Sequence, residues 1–487
     1  MGNLKNIEKA KILFEKGLFD FQKEIYESAE LNFLNALKLA PNRLSILNNL
    51  ISVYISTKQK EKLKDILLSH KHLIDKNEIQ YGKAYDYYFD KDYSKSIKIC
   101  NKLINIDQFR YSVIDLLASN FKKQKLFLEA LKLYKKKLKE KKDYLIYYNI
   151  GCLFLHLGRI NKAHYYFNKS KNLKKIDNSN LWNLSLCHLT LGNLRQGFSL
   201  YEYRWLNKER KLIKKFEDLK MPSSVEEIID KQILISDEQG LGDTIQFSRF
   251  VIELLKFTKK ITFVVNIKLV KLLSNLDNKI NVRSYNDLEL NNFEYHLSLC
   301  SLPNFLKIKN LDEIKYHQLY IEKVSKINIK KSDINIGLSW SGNPNFPLDE
   351  YRSLSLKNFK DVLNTKDVSF FKLSQDIRNK GITDHNSTSN LFDMGDKSLF
   401  EISQIMKELD LVVSCDTSII HLAGILNIRS ILLLNYNSDW RWFRDKKKTI
   451  WYPSVDIIKQ EVFNHWNGVL IELRKRIEVI ANKKKAS

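Results

Sequence analysis

The chain has 487 residues, is 44% hydrophobic, and carries 81 Lys and Arg against 56 Asp and Glu, a net charge of +25. That length implies roughly three domains, and the absence of any apolar run near the roughly 18 residues of a spanning helix excludes a helical membrane protein. With no signal-like apolar core after Met1, a cytoplasmic location is the expectation, and five scattered cysteines without a CxxC pair read as buried thiols rather than disulfides or a zinc site.

The positive excess belongs to the first part of the chain, where residues 1–220 hold 43 Lys and Arg against 23 Asp and Glu. No basic run there is interleaved with a nucleic-acid motif, so nucleic acid is not an expected partner. Contact with an anionic partner or a membrane surface stays open.

The first elements form an internal repeat. Ala29, Phe33, Ala36 and Pro41 have the 4-3-5 spacing that closes a tetratricopeptide unit. Stepping on from Ala29 gives Leu63, Ser96, Ala130, Ala163 and Gly197, at intervals of 34, 33, 34, 33 and 34. The position four later gives Phe33, Leu67, Cys100, Tyr134, Phe167 and Tyr201. Small residues at the first position let helices approach, and bulky ones at the second fill the space between them. Pro41 is the single proline in residues 1–220, as an all-helical solenoid requires. Such a solenoid over 1–215 offers a groove for a protein partner.

The composition breaks near 215–230, at Met221-Pro222-Ser223-Ser224. Short apolar runs then alternate with helical patterns, which predicts doubly wound parallel sheets. Strands are expected at 231–236, 260–266 and 295–300, with helices at 244–256 and 267–276. A second set has strands at Ile334–Trp340, Val368–Leu373, Leu409–Ser414 and Ser430–Leu434, with helices at 356–364, 398–408 and 418–426. An amphipathic segment, Trp466–Ala481, closes the chain. Two Rossmann-like domains follow, 229–328 and 332–487.

Four strand ends carry polar residues suited to a ligand. Gly240-Leu241-Gly242-Asp243 lies where a strand becomes a helix. Its glycines permit close backbone approach, and Asp243 fits either a cap of that helix or a general base in a cleft. Asp416-Thr417-Ser418 opens another helix whose free N–H groups suit a diphosphate, with Asp416 orienting the loop or a ligand hydroxyl. His421, one turn further, fits either a ligand contact or a structural histidine. Gly342-Asn343-Pro344 and Arg352 form a third, where Arg352 fits a phosphate or a surface ion pair. Gln375 follows a fourth strand. All fall on matching strand ends and should converge on one cleft.

Glu238 to Phe247, Trp340 to Pro344, Arg352-Ser353, Asp416 to Gly424 and Asp439-Trp440-Arg441-Trp442 together resemble bacterial tetratricopeptide proteins with a glycosyltransferase domain. That domain is similar to glycosyltransferase family 9, the heptosyltransferases, and more distantly to O-linked N-acetylglucosamine transferase. The resemblance implies an α solenoid followed by an α/β GT-B fold, with 229–328 on the acceptor side and 332–487 on the nucleotide-sugar side. It implies Asp243 as the catalytic base, an acceptor-side loop at Gly240 and Gly242, and donor contacts from Asn343, Arg352, Gln375, Asp416, Thr417, Ser418 and His421. It implies a nucleotide-sugar donor, a protein or glycan acceptor, and no metal or other cofactor. Two positions depart from the family: Ser418 stands where a glycine is usual, and Asp376 follows Gln375 where many relatives have a basic residue. The rival expectation is a non-catalytic scaffold with a vestigial nucleotide cleft.

Overall fold

Apolar residues three and four apart give each repeat half an apolar stripe, and helices this short need a packing partner to persist. The computed structural model describes residues 2–106, 110–174, 176–206, 216–290, 293–322, 334–346, 348–373, 390–443 and 448–486. Its first part is a tetratricopeptide-like array of helices: α1 (Gly2–Gln22), α2 (Tyr26–Leu39), α3 (Leu44–Ser56), α4 (Lys60–Ser69), α5 (Lys76–Phe89), α6 (Tyr93–Leu103), α7 (Arg110–Lys123), α8 (Phe127–Glu140), α9 (Tyr144–His156), α10 (Ile160–Leu173), α11 (Asn178–Thr190) and α12 (Leu194–Tyr201). The even-numbered helices keep the sequence period. Ala29, Leu63, Ser96, Ala130 and Ala163 are wholly buried, as are Phe33, Cys100 and Phe167. Leu63 and Ser96, unremarkable as isolated residues, thus hold the same place as the alanines.

A second periodic feature lies in the backbone. Glu24, Lys58, Lys91, Lys125, Gly158 and Gly192 all have positive φ, from 57° to 82°. They occupy one turn position, immediately before the even-numbered helices. Four of these six left-handed turns are therefore made without glycine, at about 1 kcal/mol each.

The chain packs as two compact units, Met1–Leu157 and Gly158–Ser487. The first holds α1–α9, with one apolar cluster containing Phe33, Leu47, Leu50 and Tyr54 and another containing Ala84, Cys100, Leu116 and Leu117. The second holds α10–α12 together with two sheets, so the composition break expected near 215–230 lies inside it.

The first sheet comprises β1 (Ile233–Ser236), β2 (Ile261–Val265), β3 (Ile280–Ser284) and β4 (Tyr295–Ser298), all parallel, in the order β3-β2-β1-β4. The second comprises β5 (Ile334–Ser339), β6 (Val368–Lys372), β7 (Leu391–Asp393), β8 (Leu411–Cys415), β9 (Ser430–Leu434) and β10 (Val455–Lys459), also parallel, in the order β10-β9-β8-β5-β6-β7. Every expected strand is present; β3, β7 and β10 are additions. β1 lies between β2 and β4, and β5 between β6 and β8. These are the points where strand order reverses, and loops at the carboxyl ends of such strands diverge to leave a crevice.

The helices of this region are α13 (Leu241–Leu254), α14 (Ile267–Leu273), α15 (Leu302–Phe305), α16 (Asp349–Arg352), α17 (Lys360–Leu363), α18 (Leu399–Met406), α19 (Ser418–Ile425) and α20 (Asn467–Ala486). α13 follows β1, α19 follows β8, and the two helices pack on each other. Phe247, Phe250 and Val251 of α13 join Ile419, Ile420 and Leu422 of α19 in one apolar cluster with strand residues of both sheets. The terminal helix α20, expected at 466–481, buries Val469, Leu473 and Ile477 against β5, β6 and β8. Among the described residues no helix is long and apolar enough to cross a membrane.

Candidate functional site

The buried strand β1 ends at Ser236, and Gln239, with φ 67°, turns the chain into α13. The helix begins at Leu241 rather than at Thr244, because the Asp243 carboxylate reaches back to its first turn. Its Oδ2 accepts the Gly240 N–H at 2.8 Å. Its Oδ1 lies 2.7 Å from Arg441 Nη2. Both oxygens of the expected base therefore have partners, one within its own helix and one across the crevice. The side chain keeps 22% exposure. Burial pushes its pKa above the ordinary carboxylate range, while Arg441 and the Gly240 N–H pull against that.

On the facing side, β8 leads through Asp416 and Thr417 into α19. Thr417 caps the helix, its Oγ1 accepting the Ile419 N–H at 3.3 Å and lying 3.1 Å from Ser414 Oγ. No acidic residue stands in the first turn. Burial raises the Asp416 carboxyl to about 6, assisted by the charge of Asp439 and opposed by Arg352. Arg352 donates from Nη1 to the Asp416 carbonyl at 2.8 Å and from Nε to Asp349 Oδ1 at 3.1 Å. Its guanidinium lies 4.4 Å from the Phe346 ring centre. The β5 and β8 loops are thereby tied together. A Cβ on Gly342 would sit 2.6 Å from Arg352 Nη2 and 2.7 Å from Asp349 Oδ1, so this ion pair would have to shift to admit one. Asn343 is exposed and its Oδ1 accepts the Asn345 N–H at 3.0 Å, shaping its own turn.

Gly242 brings the two sides into contact. A Cβ on it would lie 2.8 Å from His421 Cδ2 and 3.3 Å from Ser418 Cα. Here glycine serves the approach of α13 to α19, rather than the conformational freedom of a loop. His421 is 4% exposed, stacks on Trp442 with centroids 5.1 Å apart, and places Nδ1 3.0 Å from the Tyr452 hydroxyl. Burial, with Arg441, Arg249 and Arg352 nearby, holds its pKa well below the usual value, so the ring is neutral. Gly240, Gly242, Asp243, Arg352, Asp416, Thr417, Ser418 and His421 thus come to one locus. Gln375 lies outside the described residues.

Arg441, quoted in the sequence only within the Asp439–Trp442 run and given no role, is the hub of this locus. Besides Asp243 it binds Asp439 Oδ1 at 2.8 Å and Gln239 Oε1 at 3.3 Å, and it lies 4.7 Å from the Trp440 ring centre. Burial works against its charge, but Asp243 and Asp439 outweigh this and hold its pKa well above the usual value. Its Nε is buried and finds no partner among the described residues. Arg441 follows the end of β9, so the strand-end rule that located the other loops would have found it.

The last repeat supports the same loop from behind. Arg204, 1% exposed, forks onto Glu238 at 2.8 and 3.0 Å and also donates to Glu202 and Ser301. The Tyr201 hydroxyl accepts from Gln239 Nε2 at 2.7 Å. The order Tyr201, Gln239, Arg441, Asp243 is an unbroken line of polar contacts from α12 to the start of α13.

No family model matches the chain, and no curated protein matches it. Solved structures that align with part of it include pilF of Pseudomonas aeruginosa, at 15% identity over 41% of this chain and 87% of that one, with a TM-score of 0.29. PilW, a widely conserved type IV pilus biogenesis factor, aligns at 16% identity over 42% of this chain and 94% of that one, with a TM-score of 0.34. The APC/C hetero-tetramer Cut9–Hcn1 aligns at 16% identity over 42% of this chain and 39% of that one, also with a TM-score of 0.34. At these scores the likenesses bear on neither the α/β region nor the activity.

Proposed function

We propose that the unit Gly158–Ser487 is a glycosyltransferase of GT-B type, moving a sugar from a nucleotide-sugar donor to a protein or glycan acceptor with inversion. The observation that carries this reading is the meeting of two strand-order switch points. The loop after β1 brings an acid, Asp243, to the N-terminal turn of α19, which has Arg352 behind it and no acid of its own. A helix start with free N–H groups and an adjacent cation suits a diphosphate. Burial raises the pKa of that acid, Asp243, from its ordinary value, the direction a general base needs.

In this reading the acceptor hydroxyl gives its proton to Asp243 as its oxygen bonds to the anomeric carbon. The bond from that carbon to the diphosphate oxygen breaks, and the departing charge is met by the α19 N–H groups and Arg352. The repeats of 1–157 present the acceptor or bind a protein partner, in the cytoplasm.

Thermal unfolding with UDP, ADP and GDP tests the site, because a ligand at a hundred times its Kd adds about 2.7 kcal/mol to a state that binds it. One diphosphate is expected to raise Tm and the matching nucleotide sugar to be consumed. If none of the three raises Tm and no sugar of a panel is consumed, the reading is lost. If Asp243→Asn turns over at the wild-type rate, Asp243 is not the base.

A second reading is favoured by one observation. Both Asp243 oxygens are engaged, and Gly242 is pressed against His421. A site satisfied by its own residues suits a scaffold whose cleft is vestigial, and the same titrations separate the two.

A further inference from the structure

Arg249 and Tyr452 lie behind the site and take no part in the mechanism above. Arg249, on α13, is 2% exposed and has no carboxylate partner among the described residues. It donates from Nε to the Gln246 carbonyl at 2.8 Å and from Nη1 to the Trp451 carbonyl at 2.9 Å. Its guanidinium lies 5.0 Å from the Tyr452 ring centre, so it holds both the Trp451 carbonyl and the Tyr452 ring in place. Tyr452 is wholly buried, and its ring is fixed against Gly424, where a Cβ would fall 2.3 Å from Tyr452 Cγ.

The direction of the next hydrogen bond follows from proton inventory. A phenolic hydroxyl has one proton to donate. Among the described residues the Tyr452 hydroxyl has a single hydrogen-bond partner. His421 Nδ1, at 3.0 Å, is the acceptor in reach. A buried hydroxyl left without an acceptor is strongly disfavoured. Nδ1 is thus the bare nitrogen of the neutral ring, and the proton sits on Nε2. The Nε2 edge faces Gly242: a Cβ there would be 2.8 Å from Cδ2 and 3.5 Å from Nε2.

We propose that Arg249 and Tyr452 are positioning residues that fix His421 as the Nε2–H tautomer, so that it offers a hydrogen-bond donor where α13 meets α19. The geometry stands by itself; its chemical meaning rests on the donor-site reading, in which this N–H joins the α19 N–H groups in receiving an anionic phosphate oxygen. His421 then acts as a fixed neutral donor and carries no proton between substrates.

The test is long-range proton–nitrogen NMR on the full chain with labelled histidine, at pH 7, with His421 assigned by its loss in His421→Asn. The wild type is expected to show the Nε2–H pattern. Tyr452→Phe is expected to lose it, giving the Nδ1–H form or a mixture. Arg249→Lys keeps it, and Arg249→Met weakens it, which supplies the answer should Tyr452→Phe not fold. An Nδ1–H, mixed or charged His421 in the wild type overturns the proposal, as does an unchanged pattern in folded variants lacking both partners. UDP, ADP and GDP are then added in turn. A shift at Nε2–H supports its contact with phosphate, whereas a correct tautomer that none of the three moves removes the donor-site reading and leaves the positioning role standing.

Discussion

The starts of α13 and α19 are the same device used in two ways. Each follows the carboxyl end of a parallel strand at a switch point, and each exposes the positive end of a helix dipole worth about half a charge. At α13 that charge is spent locally: Asp243 stands in the first turn, takes the Gly240 N–H, and binds Arg441. At α19 the cap is a neutral threonine and the first turn has no acid. The first turn of α19 therefore carries no carboxylate, whereas that of α13 holds one in place. The two glycines of the Gly240–Asp243 motif suggested close backbone approach, and at Gly242 that approach is to α19 itself.

This contrast can be broken most forcefully at Arg441. Arg441→Met leaves Asp243 and Asp439 without their cation and is expected to lower the unfolding free energy of the second unit by about 3 kcal/mol. Adding Asp243→Asn in the same chain should return part of it; denaturant unfolding of both variants checks this, and a single-variant loss near zero would deny that the pair neutralises α13. Next in size are the glycines. Gly242→Ala forces α13 off α19 and is expected to cost about 2 kcal/mol. Gly240→Ala meets only Asp243 Oδ2 at 3.2 Å and is expected to stay within about 0.5 kcal/mol. Equal effects would show that the motif does not seat one helix on the other.

The Asp416 carboxyl gives a pH signature. Its folded pKa of about 6 exceeds the unfolded value of about 3.9, so the folded chain binds this proton more tightly. Its stabilising contribution is present below about pH 4 and lost as pH rises through 6. The side chain is half-buried, so the effect is on the order of 1–2 kcal/mol. Wild-type stability measured against Asp416→Asn is expected to decline by that amount from pH 4 to 6.5, and a flat difference would contradict the assignment. The smallest effect is at the cap: Thr417→Ala is expected to cost about 1 kcal/mol and Thr417→Ser little, read by the same unfolding curves.

What the sequence made legible follows physical lines. The repeat showed because burial recurs at a fixed interval, even where Leu63 and Ser96 replace the small residue. The interior strands β1, β2, β5, β6, β8 and β9 showed because strands covered on both sides are continuous apolar runs. The unexpected β3, β7 and β10 are all sheet edges. β3 alternates buried and exposed residues, and β7 has three residues, none fully buried. Among the candidate residues, strand-end position brought out Asp243, Arg352 and the Asp416–His421 loop, which lie near one another. It could not reveal that Asp243 is paired, because Arg441 lies almost 200 residues away. Arg249 and Tyr452 were hidden for another reason: their role is to aim a third side chain, and no spacing rule records that.

The Arg204 fork and the Tyr201 hydroxyl carry a consequence for how such a chain can change over generations. Among the described residues, the hydrogen bonds that reach the Gln239 turn from the repeat side come from Tyr201 and Arg204. Whole repeats before Gly158 can be duplicated or deleted by recombination in steps of about 34 residues without touching either of these two residues. A change in repeat number thus leaves the last hairpin free to keep its grip on the Gln239 turn.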